Sequence, residues 1–137
     1  RGRSSRVEEV FQRLFGRLAE AKDARGLNTS TWYLAGCAAT VSLFTAREAC
    51  AGILCLALGD PLAAIVGSRV RSPRVGKVSL AGSSTCLAAA TLACLAYAPW
   101  PQALAAGAAA TLLEAASGSK LDNLSMPLGA ALVLHLL

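Results

Sequence analysis

Five apolar segments separated by short polar connections occupy most of the chain beyond residue 30. They cover residues 32–46, 49–67, 83–98, 103–117 and 124–137. Several are shorter than the ~20 residues that span a bilayer, but neutral flanking residues can lengthen them. The pattern predicts an all-α fold, a polytopic membrane bundle of four or five transmembrane helices.

The composition favours the same class of protein. Of the 137 residues, 55% are apolar and 15% are charged, whereas about 25% of a soluble domain is charged. The mean hydropathy is +0.52. These values argue against a disordered chain, a disulfide-stapled secreted module and, despite the net charge of +5, a basic nucleic-acid-binding domain. We therefore expect the lipid bilayer, and no nucleic acid, as a partner.

The first 26 residues have a different pattern. Apolar residues recur there at the three- and four-residue spacing of one helix face, at Val7, Val10, Phe11, Leu14, Phe15 and Leu18. We predict an amphipathic helix over 1–26 that either lies in the membrane interface or packs on the bundle or on missing sequence. The chain opens with Arg1 rather than Met, so we expect a fragment or a processed form.

The basic residues predict a topology. Seven of the 13 lie in the first 25 residues, and four more lie in the loop 68–82, at Arg69, Arg71, Arg74 and Lys77. The positive-inside rule places both regions, and the connection 118–123, on the cytoplasmic side. We interpret Arg69, Arg71 and Arg74 as topology determinants that face the headgroups.

Two acidic residues, Asp60 and Glu114, lie inside apolar segments. A charge at the centre of a spanning helix costs about 2.5–3.5 kcal/mol even on the lenient insertion scale, and such residues usually serve function. The alternative is that each acid pairs with a basic residue inside the bundle. Because Pro61 follows Asp60 and removes a backbone donor, we expect the helix to open there.

Two polar connections supply complementary groups. Lys77 precedes Gly82, Ser83 and Ser84, so we predict an anion-binding helix start with Ser83 or Ser84 as its N-cap. The pair Asp122 and Asn123 begins the last segment, either as a cap or as part of a site. In the predicted topology, Lys77, Asp122 and Asn123 can approach one cytoplasmic-side pocket together with Asp60 and Glu114. Carboxylates and an Asn suit Mg²⁺.

The motifs together resemble a known family. The sequence GDPLAAIVG at 59–67, then KVSLAGS at 77–83, then Glu114 followed by DNLSMPL at 122–128, is similar to the membrane-embedded CTP-dependent lipid kinases. This family comprises diacylglycerol kinase, dolichol kinase and phytol kinase, and is related to phosphatidate cytidylyltransferases. The resemblance covers 27–137 and implies transfer of the γ-phosphate of CTP, or of another nucleoside triphosphate, to the hydroxyl of a membrane lipid alcohol. It also implies that upstream helices of the family are missing here.

The resemblance implies roles for individual residues. Asp60, Glu114 and Asp122 would hold Mg²⁺, or one of these carboxylates would instead take the proton of the lipid hydroxyl. Lys77 would neutralise phosphate charge, whereas the donors to phosphate would be Ser79, Gly82 and Ser83, with Asn123 completing the nucleotide or metal shell. The expected location is the endoplasmic reticulum, a plastid or the bacterial inner membrane, with the site on the cytoplasmic-equivalent side.

Two other functions stay open at this point. One is a phosphatidate cytidylyltransferase-like enzyme, although the motif at 77–83 fits the kinases better. The other is a non-catalytic multi-pass scaffold or a piece of a transporter, in which the acids pair internally or mark an ion path. The five cysteines lie in apolar segments without CxxC spacing, so we predict small buried thiols rather than disulfides or zinc ligands.

Overall fold

A computed structural model describes residues 29–76, 78–117 and 121–137. These residues form five helices and one short hairpin: α1 Thr29–Leu43, α2 Ala46–Arg69, β1 Arg74–Val75, β2 Val78–Ser79, α3 Leu80–Leu95, α4 Trp100–Ala116 and α5 Asp122–Leu136. The all-helical prediction is confirmed, since each predicted apolar segment corresponds to one helix. The predicted amphipathic helix over 1–26 and the side chain of Lys77 lie outside the described residues.

The helices differ in their capacity to cross a bilayer. Helix α2 has 24 residues, which is about 36 Å at 1.5 Å per residue. Within the described part of the chain it is the one helix that is long and apolar enough to be a candidate span. The other four have 15 to 17 residues, or about 22–26 Å, which is short of the ~30 Å hydrocarbon core. The multi-pass arrangement therefore stays a prediction.

Small side chains fill the interior of the bundle. The most deeply buried apolar residues on α2 to α5 are Ala51, Cys55, Cys86, Ala90, Cys94, Ala103, Ala106, Ala110, Met126 and Ala130. Large apolar side chains instead lie on the outside, where Leu34, Leu92, Leu112 and Leu136 are each about two-thirds exposed. The bundle thus buries mainly small residues, with Leu56 and Met126 among the few large side chains in its core, and presents many of its leucines outward. The predicted small buried thiols are found at Cys55, Cys86 and Cys94, whereas Cys50 is exposed.

Close backbone contacts hold α1 and α5 against their neighbours. A Cβ atom at Gly36 of α1 would collide with the carbonyl oxygen of Asn123 in α5, and one at Gly52 of α2 would collide with the carbonyl oxygen of Pro127. Because glycine has no Cβ, the three helices can approach to backbone contact. This packing brings the N-terminal half of α1 beside the start of α5.

Helix α2 begins with a reciprocal cap. The side chain of Thr45 accepts a hydrogen bond from the backbone N–H of Glu48, and the carboxylate of Glu48 accepts one from the N–H of Thr45. The helix then continues through Pro61 to Arg69. Our expectation of a break beside Asp60 is therefore wrong. Packing of α2 between α3 and α5 keeps the helix intact although Pro61 donates no hydrogen bond.

Candidate functional site

A polar cavity lies at the end of the bundle where α2 and α4 finish and α3 begins. It has a volume of about 220 Å³, and the side chains that line it include Asp60, Arg74, Ser79, Ser83 and Glu114. Gly67 and Gly82 also line it, and they let α2 and α3 approach closely there. The structure thus brings together five of the residues that the sequence singled out: Asp60, Ser79, Gly82, Ser83 and Glu114.

The two acids of this polar cavity come from different helices. Asp60 lies on α2 and Glu114 lies near the end of α4. Glu114 is close enough to Asp60 and to Asp122 for their negative charges to repel its own. The Oε2 atom of Glu114 is buried and has no hydrogen-bond partner among the residues that the structure describes. An unpartnered buried carboxylate oxygen is costly, so this oxygen is a candidate ligand for a cation or a donor.

The sequence predicted that Asp122 and Asn123 share one pocket with Asp60 and Glu114. This prediction is wrong for the polar cavity, because neither Asp122 nor Asn123 lines it. Asp122 precedes the apolar segment 124–137, and its Oδ1 accepts a 2.8 Å hydrogen bond from the backbone N–H of Asn123. Asn123 is buried beside α1.

The N-cap of α3 is Ser79, so the predicted N-cap at Ser83 or Ser84 is wrong. Ser79 has extended backbone angles, and its Oγ accepts a 3.0 Å hydrogen bond from the N–H of Gly82. The helix starts three residues earlier than the apolar segment 83–98, because the neutral residues Leu80 to Gly82 are also helical. The hydroxyl of Ser83 then lines the polar cavity from the first turn of the helix.

Most backbone donors at this helix start are already used. The N–H of Leu80 donates to the carbonyl oxygen of Pro73 at 2.9 Å, and the N–H of Ala81 donates to Oγ of Ser72 at 3.1 Å. Since Gly82 donates to Ser79, an anion in the polar cavity would meet side-chain donors and the positive end of the helix dipole. The predicted backbone donation from Gly82 would require its bond to Ser79 to break.

Arg74 is the cavity residue that our sequence interpretation assigned to the headgroups instead. The antiparallel pairing of β1 and β2 sets Arg74 opposite Ser79 and Val75 opposite Val78. Gly76, with φ of 63°, follows β1 and has a conformation that favours glycine. This hairpin turns the side chain of Arg74 into the wall of the polar cavity. A glycine between two short runs of β-forming residues is the sequence signal that points to such a hairpin.

A second cavity, which we call the side cavity, lies between α1, α2 and α5. It has a volume of about 380 Å³ and is lined by Thr29, Ser30, Tyr33, Leu34, Asp60 and Asn123. Asp60 therefore borders both the side cavity and the polar cavity. This is where the structure places Asn123, away from the phosphate-binding role that the sequence predicted.

Asp60 and Glu114 place two carboxylates in the polar cavity. Among residues 29–76, 78–117 and 121–137, no group of three or more His, Cys, Asp or Glu residues is arranged to hold a metal ion. Mg²⁺ is usually bound by one or two carboxylates together with substrate phosphates, so these two carboxylates could hold a cation that a phosphate ligand also binds.

The fold and the site define a small helical bundle with a charged cavity at one end. No protein-family model matches the chain, and comparisons with curated proteins and with solved structures give no match either. Function is therefore argued from the residues and from their geometry.

Proposed function

We propose that this protein is an integral membrane lipid kinase that transfers the γ-phosphate of CTP, or of another nucleoside triphosphate, to the hydroxyl of a lipid alcohol such as diacylglycerol, dolichol or phytol. The observation that carries this proposal is the polar cavity, in which Asp60 and Glu114 of two helices meet Arg74 and the start of α3. Phosphoryl transfer depends on alignment and charge neutralisation more than on covalent chemistry by the protein. Such a cavity provides both kinds of charge.

The outward-facing leucines support a multi-pass membrane protein. In water, side chains such as Leu92 and Leu112 would be buried before alanine, because burial of a leucine gains about 1.5–3 kcal/mol. In lipid, small residues pack between helices and large apolar residues contact acyl chains. The helices of 15 to 17 residues would span with their flanking residues or with local thinning of the bilayer.

The nucleotide would bind with its phosphates in the polar cavity. A volume of about 220 Å³ is below the ~300–1,000 Å³ of pockets that enclose a drug-sized ligand, so the base and ribose would lie outside. Arg74 would neutralise phosphate charge, because its guanidinium can hold two phosphate oxygens at once. Ser83 would donate a hydrogen bond from its hydroxyl, and Lys77 keeps the phosphate-binding role that the sequence predicts.

Asp60 and Glu114 would hold Mg²⁺ together with the phosphates of the nucleotide. Such a cation supplies Lewis-acid neutralisation of the phosphate oxygens. Asp122 would act from a greater distance. Its charge repels that of Glu114 and would make the electrostatic potential of the site more negative, which attracts a cation. The site would open on the side that carries Arg69, Arg71 and Arg74, which the positive-inside rule assigns to the cytoplasm.

Labelled nucleotide tests the proposal directly. The purified protein is reconstituted with diacylglycerol, dolichol or phytol, Mg²⁺ and CTP labelled in either the γ- or the α-phosphate, and lipids are then extracted. We expect γ-label in one lipid, its loss when EDTA removes the cation, and its return with added Mg²⁺. Label from the α-phosphate would identify a cytidylyltransferase instead. If neither label enters lipid, with folded protein and with ATP also tried, the protein would be a non-catalytic scaffold or a piece of a transporter instead.

A further inference from the structure

Asp60 is the one acid that borders both described cavities of the cytoplasmic-side end. Glu114 lines the polar cavity but not the side cavity. Two cavities that share one carboxylate can hold two reactants with that carboxylate between them. The positions of Asp60 and Glu114 therefore differ in a way that the sequence could not show.

The lining of the side cavity combines hydroxyl groups with an apolar edge. Thr29, Ser30 and Tyr33 bring three hydroxyls from the first turns of α1, and Asn123 brings a buried amide from α5. Leu34, also in the lining, is 66% exposed and so continues onto the apolar outer surface of the bundle. A molecule with a hydroxyl head and a hydrocarbon chain matches both parts of this lining.

A much smaller cavity lies at the other end of the bundle. It is lined by Arg47, Glu48, Tyr97 and Gln102 and has a volume of about 50 Å³. The side cavity, at about 380 Å³, can accept a glycerol or allylic alcohol head.

We propose that the side cavity binds the hydroxyl end of the lipid alcohol and so holds this hydroxyl beside Asp60, which also lines the polar cavity. The proposal rests on the kinase function proposed above. The lipid oxygen forms a bond to the γ-phosphorus, the bond from that phosphorus to the bridging β-γ oxygen breaks, and the nucleoside diphosphate leaves with the electron pair. The proton of the hydroxyl leaves to water. Tyr33 and Asn123 are positioning residues for the hydroxyl.

A substitution that fills the side cavity tests its role without touching Asp60. Ser30→Phe places a ring in the lining, whereas Thr31→Phe is the matched control, because Thr31 is exposed and lines neither cavity. With Ser30→Phe we expect the KM for the lipid alcohol to rise about tenfold, since overpacking a site commonly changes an equilibrium constant by that factor. The KM for the nucleotide should stay unchanged. Equal lipid KM values for the two variants, in a protein that does transfer phosphate, would overturn the proposal and leave the kinase function standing.

Photolabelling decides the question even without turnover. The probe is a long-chain primary alcohol with a diazirine next to its hydroxyl, incorporated into vesicles with the wild-type protein. We expect label on the peptide that contains residues 29–34, reduced by excess unlabelled alcohol and by Ser30→Phe but retained in Thr31→Phe. Label confined to other segments, or label that unlabelled alcohol does not reduce, would contradict the side cavity as the alcohol site. Specific label without phosphoryl transfer would count against the kinase function and not against the site.

Discussion

Ser79 accepts a 3.0 Å hydrogen bond from the backbone N–H of Gly82, and its hydroxyl lies at the wall of the polar cavity. The same Oγ would be 2.6 Å from a Cβ atom placed at Gly67. One side chain thus begins α3 and fills the space against α2. The cap and the closeness of the two helices depend on each other, because Gly67 leaves room for the Ser79 hydroxyl.

Ser79→Ala should lower the free energy of unfolding by about 1 kcal/mol, the usual effect of losing an N-cap side chain. The N–H of Gly82 would lose its partner at a partly enclosed position. Thermal unfolding in detergent measures the effect. Ser84→Ala is the control, since Ser84 is exposed and its hydroxyl only donates to carbonyls of its own helix. Equal melting temperatures for the two variants would contradict the capping role.

Gly36→Ala should destabilise the bundle far more than Gly129→Ala. The new methyl at position 36 would collide with the carbonyl oxygen of Asn123, which is backbone and cannot turn away. At position 129 it would meet only the end of the Leu113 side chain, which can rotate. We expect a loss of about 1–3 kcal/mol for Gly36→Ala and a smaller loss for Gly129→Ala. Comparable unfolding midpoints for the two would show that α1 does not pack on α5 as described.

The sequence predicted the helices better than it predicted their ends. Apolar runs identify all five helices, because a bundle of this kind needs apolar residues on every face. The start of α3 was missed by three residues, since Leu80 to Gly82 are neutral and the capping hydroxyl is in Ser79. Among the described residues α2 alone is long and apolar enough to be a candidate span, so spanning by the four shorter helices with their flanking residues stays a prediction.

The sequence identified the two acids that line the polar cavity, Asp60 and Glu114, but it also included Asp122, which does not line it, and it missed Arg74. Asp60 and Glu114 stand out as charges in apolar runs, and they share a cavity because α2 and α4 both end on the same side. Arg74 looked like one of several loop arginines, and only the register of the hairpin separates it from Arg69 and Arg71. The hairpin is local, but its strands have only two residues each, so the glycine between them is a weak signal in a single sequence.

Arg74→Gln should raise the KM for the nucleotide about tenfold, as expected when a charge-assisted hydrogen bond worth about 1.5–3 kcal/mol is lost. The KM for the lipid alcohol should not change. Arg71→Gln is the matched control, because Arg71 is an exposed arginine of the same loop that does not line the polar cavity. Initial rates with labelled CTP give both constants. A similar effect of the two variants would indicate general surface charge rather than a specific phosphate contact.

Mild oxidation with diamide should join Cys55 to Cys94. Their Sγ atoms lie 3.2 Å apart in the interior between α2 and α3, and a disulfide requires about 2.0 Å. Both thiols give up hydrogen to the diamide, which is reduced to the hydrazine. Mass spectrometry should find the linked peptides in wild-type protein and in Cys86→Ala, but not in Cys94→Ala. A link from Cys55 to Cys86 would contradict the described packing of α2 on α3.

Glu114→Gln should stabilise the protein while it slows phosphoryl transfer. The substitution removes a charge that Asp60 and Asp122 repel, on a carboxylate whose buried Oε2 has no partner in the described part of the chain, so the melting temperature in detergent should rise. Activity should fall by at least about tenfold, because a cation on the nucleotide phosphates would lose a charged ligand.

The matched substitution Glu48→Gln should lower the melting temperature and leave activity unchanged. Glu48 lies at the far end of α2, where its carboxylate accepts a 2.9 Å hydrogen bond from the N–H of Thr45 and lies 3.2 Å from Nδ1 of His135. Loss of the charge weakens this cap, so the melting temperature should fall while the KM values for nucleotide and lipid stay unchanged. Thermal unfolding and rate measurements on both variants provide the comparison. If Glu114→Gln also lowered the melting temperature, its carboxylate would have a stabilising partner, and the acid would be structural rather than held ready for a ligand.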